Sequence, residues 1–240
     1  MIVSDAHLRG SDAPEASAFR AFLRAVPDLG THLVINGDLF EFWFAYRCVV
    51  PRDAFATLAA LEAVRRAGVR LTLTGGNHDR WGGPFWAEQL GATFHPDGAR
   101  LDIAGLDAFV AHGDGLTERH AGARFFQWLT RRRLTVALFR WLHPDLGLPL
   151  VDRFSRRLAG STRAADVVAA AAAAQAAWAR DLLTQDRSLR LVVLGHTHVA
   201  ALERVDVMRW YLNPGGWVDE RRYAIVTGEG PRLCRFAAAD

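Results

Sequence analysis

Five short motifs place Asp, Asn and His in an ordered series along the chain. They are Asp5-Ala6-His7, Gly37-Asp38, Gly76-Asn77-His78-Asp79, His112-Gly113-Asp114 and Gly195-His196-Thr197-His198. Each follows a short apolar or alternating run that reads as a strand. Each therefore stands where a strand enters a loop, the place where open α/β sheets gather ligands. Gly37, Gly76, Gly113 and Gly195 let the backbone turn sharply beside the polar residues. The donors are oxygen and imidazole nitrogen, with no thiolate. That mix suits Mn²⁺, Fe²⁺ or Zn²⁺ better than a structural zinc site, which prefers Cys. Seven donors (Asp5, His7, Asp38, Asn77, His112, His196 and His198) exceed the needs of one tetrahedral ion. They fit two adjacent ions sharing one carboxylate. Two such ions, roughly 3.5–4 Å apart, clamp a phosphoryl oxygen and generate a nucleophile from water. Taken singly, a His-x-His is more often a surface pair and a Gly-Asp a turn; the ordered series of five carries the weight. His32, His95, His120 and His143 fall outside the series and read as ordinary histidines.

The elements that must position these residues alternate at first. Strands are expected at 2–4, 32–36, 69–74, 101–103 and 108–111, with helices at 14–25 and 52–67, the second stopped by Gly68. From Leu116 to about Gln185 no strand signal appears. Three helical stretches are broken there by His143-Pro144-Asp145 and Gly160-Ser161-Thr162. The last of them is Ala-rich, an ordinary helix by propensity. Strands resume at 191–194, 201–204, 207–212, 223–227 and 233–236. Strand–helix alternation followed mainly by strands predicts an α/β sandwich of two mixed sheets. The chain reads as one domain over 1–240 with a helical insertion at about 116–185.

Composition bounds the class. The chain has 240 residues, 50% hydrophobic and 23% charged, which excludes a disordered or collagen-like chain. The start carries no leader pattern, and no run reaches the roughly 20 strongly apolar residues of a membrane span. Cys48 and Cys234 fit no metal or redox spacing. A cytoplasmic location is expected. The net charge of +3 conceals a division. Residues 116–165 hold ten Arg and three acids, a net of +7; the remainder holds 19 Arg and 23 acids, a net of −4. Among those arginines lie Phe125, Phe126, Trp128, Leu134, Leu138, Phe139 and Trp141. Arg beside bulky apolar residues is the pattern of helices at a membrane surface. It also suits a cap that grips a phosphate while burying acyl chains. Packing on the core accounts for part of the apolar face, and a solvated Arg face is the plain alternative. Nucleic acid, which needs a continuous basic groove, is not expected.

In order and spacing the five motifs resemble the signature of the calcineurin-like metallophosphoesterase superfamily, over nearly the whole chain apart from the insertion. The resemblance implies a four-layer sandwich of two mixed β-sheets flanked by helices, with a helical cap. It implies one ion held by Asp5, His7, Asp38 and His198 and a second by Asp38, Asn77, His112 and His196, with Asp38 bridging and Mn²⁺ the expected metal. His78 would then donate a hydrogen bond or proton to the transition-state phosphate or leaving oxygen. Glu41, three residues after Asp38, stands where related phosphatases carry an acid that orients this His; a helix-start acid is the alternative. Asp79 and Asp114 read as hydrogen-bonding supports. Asn213-Pro214-Gly215-Gly216-Trp217 reads as a structural turn, and Arg80 as a substrate contact.

Within that superfamily three features are similar to the UDP-2,3-diacylglucosamine hydrolase branch of lipid A synthesis. They are Gly37-Asp38-Leu39-Phe40-Glu41-Phe42-Trp43, His112-Gly113-Asp114 before a basic cap, and Leu142-His143-Pro144-Asp145. The likeness implies a nucleotide-linked glycolipid substrate. Water would attack its α-phosphorus, giving UMP and 2,3-diacylglucosamine 1-phosphate. Acyl chains would lie in the cap, and Arg156, Arg157 and Arg163 would pair with phosphate or sugar. The basic cap would touch the inner membrane peripherally, and no protein partner is inferred. One departure stands out: the best-known members carry Arg where this chain has His78. That keeps open a related phosphodiesterase or nucleotide pyrophosphatase. A non-catalytic scaffold of this fold usually loses metal ligands, and here every expected position is filled.

Overall fold

The architecture follows from which strands are apolar on both faces. The computed structural model describes residues 1–116, 128, 132–151, 153 and 164–237. β1 (Ile2–Val3), β2 (His32–Asn36) and β3 (Arg70–Thr74) are almost wholly buried and pair in parallel. Continuous apolar runs such as Leu33-Val34-Ile35 suit strands covered on both sides. β4 (Thr93–His95) extends this sheet beyond β3. β10 (Arg222–Thr227) and β11 (Gly230–Arg235) add an antiparallel hairpin beside β1. The first sheet therefore runs β11-β10-β1-β2-β3-β4.

The second sheet is built from β5 (Ala99–Ile103), β6 (Leu106–Val110), β7 (Leu191–Val193), β8 (Ala201–Asp206) and β9 (Arg209–Asn213). Its order is β5-β6-β7-β9-β8, with β6, β7 and β9 parallel and an antiparallel strand at either edge. The edge strands β5 and β8 alternate between half-buried and exposed positions, as one-sided strands do.

Three apolar cores separate four layers. Ile2, Val34, Val110, Leu191, Val193 and Leu212 meet between the two sheets. Under the first sheet's outer face lie α1 (Pro14–Leu29) and α2 (Phe55–Arg66), which contribute Phe19, Phe22, Leu23, Val26, Leu58 and Leu61. In α1 those positions recur at helical spacing, Pro14 opens the first turn, and Gly30 closes it by donating to Val26 O at 3.2 Å. The helix runs four residues past the expected end. Pro27 falls in its last turn, where the missing N–H costs one i→i−4 bond and only two helical residues follow it. Short α3 (Phe85–Leu90) and strand β4 gave no pattern long enough to read from sequence.

Helices fill the described chain between β6 and β7, where the insertion was expected. α4 (Arg133–Trp141) and a further helical turn set at 144–151 precede the long α5 (Ala165–Gln185). No strand occurs among its described residues, as expected. The second half of α5 buries Gln175, Ala179 and Leu183 against Val192, Leu194 and Tyr211. This helix is therefore also an outer layer of the second sheet. α4 docks through Phe139, whose ring lies 4.8 Å from Phe44 and 5.9 Å from Phe42. No helix among the described residues is long and apolar enough to cross a membrane. A last short helix, α6 (Trp217–Glu220), follows β9.

Candidate metal centre

β1, β2 and β3 are parallel neighbours in one sheet; β6 and β7 are parallel neighbours in the other. The five motifs leave the C-terminal ends of these five strands. All therefore emerge on one edge of the sandwich. Among the described residues seven non-glycine residues have positive φ, and five of them are Asp5, His7, Asp38, His196 and His198. Such conformations cost on the order of 1–3 kcal/mol each and persist only where surrounding structure enforces them. Here the loops brace one another. Asp5 N–H donates to Gly37 O at 3.2 Å, His7 N–H to Asp38 O at 2.9 Å, and Gly195 N–H to His112 O at 2.8 Å.

The result is a set of converging donors. Asp5, His7 and His198 form one compact group, Asp38, His112 and His196 another, and His7, Asp38 and His78 a third between them. Asp38 Oδ2 stands 3.2 Å from His112 Nε2, 3.7 Å from His7 Nε2 and 4.0 Å from His78 Nε2. Asp5 Oδ1 stands 3.5 Å from His198 Nε2 and 3.8 Å from His112 Nε2. Asn77 Oδ1 and His112 Nε2 are buried without a hydrogen-bond partner. Orphaned buried acceptors are costly, and a cation between them removes the cost. The oxygen and imidazole donor set fits divalent metal ions.

The far sides of these ligands are held in turn. His112 Nδ1 meets Asn36 O at 2.9 Å, and His198 Nδ1 meets Asp219 Oδ2 at 2.7 Å. Each bond places the Nε2 lone pair toward the centre. Ser4 Oγ donates to Asp5 Oδ2 at 2.5 Å, and His78 N–H donates to Asp38 Oδ1 at 2.9 Å. Asp79 accepts from Leu39 N–H and Gly76 N–H, both at 2.8 Å, in the supporting role expected of it. Gly76 is required by space: a Cβ there would stand 2.1 Å from Asp38 Oδ1.

The electrostatics are those of buried acids among imidazoles. Burial works against the Asp38 carboxylate, but His112 and His78 outweigh it and hold the group well below the usual range. Burial likewise opposes charge on His112, yet Asp38 and Asp5 raise it well above the ordinary value. Burial and then His112 push His196 down. Asp79 is pushed up to about 6 by burial and by Asp38.

Two expectations need correction. The Glu41 carboxylate does not orient His78. It lies 3.4 Å from His7 Nδ1 and 3.1 Å from Arg9. Glu41 N–H bonds to Leu8 O at 3.1 Å, which sets the residue beside the Asp5–His7 loop. It is the Glu41 backbone carbonyl that meets His78 Nδ1, at 2.5 Å. Arg80 is not an open substrate contact either. Its side chain is only 9% exposed and spans Asp97 and Asp114, each at 3.5 Å. That contact accounts for Asp114 as a support. Arg156, Arg157 and Arg163 lie outside the described residues. Ser4 and Asp219 were not singled out from sequence. Ser4 had only its place beside Asp5 as a signal, and Asp219 only the preceding Asn-Pro-Gly-Gly turn.

A family model described as calcineurin-like phosphoesterase matches residues 1–200. The chain is 31% identical over 232 residues to the UDP-2,3-diacylglucosamine hydrolase of Ralstonia nicotianae, covering 90% of this chain and 81% of that protein. It is 30% identical over 211 residues to a protein of the same name from Pseudomonas paraeruginosa, covering 86% and 85%. A third of that name, from Aromatoleum aromaticum, is 27% identical over 252 residues, covering 99% and 97%.

Proposed function

The chain belongs to the calcineurin-like phosphoesterase family, and from that premise we propose that it hydrolyses the pyrophosphate of UDP-2,3-diacylglucosamine to UMP and 2,3-diacylglucosamine 1-phosphate. The observation that carries the chemistry is the pair of ligand groups flanking Asp38. Asp5, His7 and His198 would hold one ion with Asp38; Asn77, His112 and His196 would hold the other. Two divalent ions, Mn²⁺ on this reading, would polarise the phosphoryl oxygens and make water nucleophilic at neutral pH.

The protein supplies position and charge. His78 sits over the shared carboxylate with Nδ1 committed to a backbone carbonyl. Its Nε2 can donate to a phosphoryl oxygen only when the ring carries both protons. In that form it adds a positive charge where negative charge grows in the transition state. The cross-braced loops hold these groups without reorganisation during the reaction.

The named relatives and the insertion together support the lipid-linked substrate. Leu134, Leu138 and Trp141 line one side of α4 and are 71%, 64% and 87% exposed. Phe139 faces the other way, onto Phe44 near the site. An apolar face left in water beside arginines suits acyl chains and an anionic surface. We place the protein in the cytoplasm, peripheral on the inner membrane. The test is UMP release from UDP-2,3-diacylglucosamine measured beside bis-nucleotide and cyclic-nucleotide esters. Preference for the glycolipid is the expected result. His78, in place of the branch's Arg, favours the second reading, a related phosphodiesterase; hydrolysis of the other esters alone would establish it.

A further inference from the structure

We infer that Asp219 is a positioning residue that makes the two ion positions unequal, supporting the ion at Asp5, His7 and His198 and leaving the other untouched. The inference rests on the two-ion reading of the site. The two groups differ in what stands behind their imidazoles. In the Asp38 group, His112 Nδ1 meets a neutral backbone carbonyl, Asn36 O, at 2.9 Å. In the Asp5 group, His198 Nδ1 meets the Asp219 carboxylate at 2.7 Å, and His7 Nδ1 faces the Glu41 carboxylate at 3.4 Å. A charged acceptor makes an imidazole more basic and a stronger ligand than a neutral one does.

The turn that carries Asp219 is built around this contact. A Cβ on Gly216 would stand 2.2 Å from Asp219 Oδ2 and 2.8 Å from His198 Nδ1, so only glycine leaves room for the pair. Asn213 Nδ2 donates to Gly195 O at 3.1 Å and Thr197 Oγ1 at 3.2 Å, tying the turn to the loop of His196 and His198. Trp217 N–H and Val218 N–H donate to Ser4 O and Asp5 O at 3.0 and 3.2 Å. Trp217 is fully buried, its ring 4.9 Å from Phe22 and 5.1 Å from Phe19. The helix is thus anchored to both the core and the Asp5 loop, and Asp219 projects from a fixed base. The turn lies beyond residues 1–200, the stretch matched by the family model.

The test titrates Mn²⁺ into metal-free full-length protein and counts bound ions from the EPR signal of the free ion. Wild type takes up two. In Asp219→Ala, one affinity falls by about 10–100-fold, the range for losing such a support, while the other holds within about twofold. Asp219→Asn keeps an acceptor for Nδ1–H without its charge and falls between. Asp219 is half exposed, so the melting temperature of the metal-free variants matches wild type. Two unchanged affinities overturn the inference. So do two equally weakened affinities with a lowered metal-free melting temperature, the mark of general damage. Wild type that binds no Mn²⁺ overturns the two-ion reading itself.

Discussion

The strand-end site and the helical segment at 133–151 handle their side chains in opposite ways. At the site most polar groups are held by hydrogen bonds to neighbouring loops, and strained backbone is tolerated: Asp5 and Asp38 are buried with φ of 54° and 53°. In α4 the backbone is regular, but three large apolar side chains on one face stand in water. The site would be completed by small cations, which need fixed donors at fixed distances. On the proposed reading the helical segment would be completed by something apolar and extended, which needs area and little geometry. The charges divide the same way, −4 for the remainder that carries the site and +7 for residues 116–165. Two ions would offset the first, and an anionic surface the second.

Substituting Asp38 gives the largest effect, because both ligand groups depend on it. Asp38→Ala should abolish Mn²⁺ uptake and lower hydrolysis by about 10³-fold or more. The ions contribute several kcal/mol of charge stabilisation, and each 1.36 kcal/mol is tenfold in rate. Metal analysis beside a steady-state assay checks both; an active, metal-free variant would break the contrast. The next effect belongs to the helical segment. Leu138→Asp with Trp141→Ser should weaken binding to anionic vesicles by about tenfold or more, since each side chain buried in lipid is worth on the order of 1.5–3 kcal/mol. Hydrolysis of a small water-soluble phosphodiester should be unchanged. A co-sedimentation assay decides it; vesicle binding equal to wild type would show that this face has another use.

The smallest effect lies at the far end of the strand that delivers Asp38. His32 opens β2. It accepts from Arg70 at Nδ1 and meets Thr72 Oγ1 at Nε2, each at 2.9 Å. Burial and then Arg70 lower it from 6.5 to about 4. Folding therefore favours the neutral ring. As pH falls below 6.5 the unfolded chain takes a proton that the folded one refuses, and stability declines until about pH 4. Urea midpoints at pH 7 and pH 5 should differ less in His32→Gln than in wild type. An identical difference would remove His32 from the acid sensitivity of this end.

Local patterns carried much of this into the sequence. Continuous apolar runs marked the buried strands, and strand-end motifs marked Asp5, His7, Asp38, Asn77, His112, His196 and His198 as one set. The three-residue β4 and six-residue α3 were invisible because periodicity needs more residues than they have. α1 was expected to end at residue 25 and runs on through Pro27 to Leu29.

What the sequence determined by itself was which residues are ligand-like and that strands deliver them. Residue type and strand period are local properties, legible one segment at a time. What only the tertiary structure decided was where each outer support points. Glu41 sits three residues from Asp38, yet its carboxylate faces His7, because the Leu8–Glu41 hydrogen bond joins two loops distant in the chain. Asp219 reaches His198 across 21 positions because Trp217 buries itself against α1 and Gly216 has no side chain to intervene. Hydrogen bonds to a ligand's far side are set by packing between segments, and no single segment carries that information.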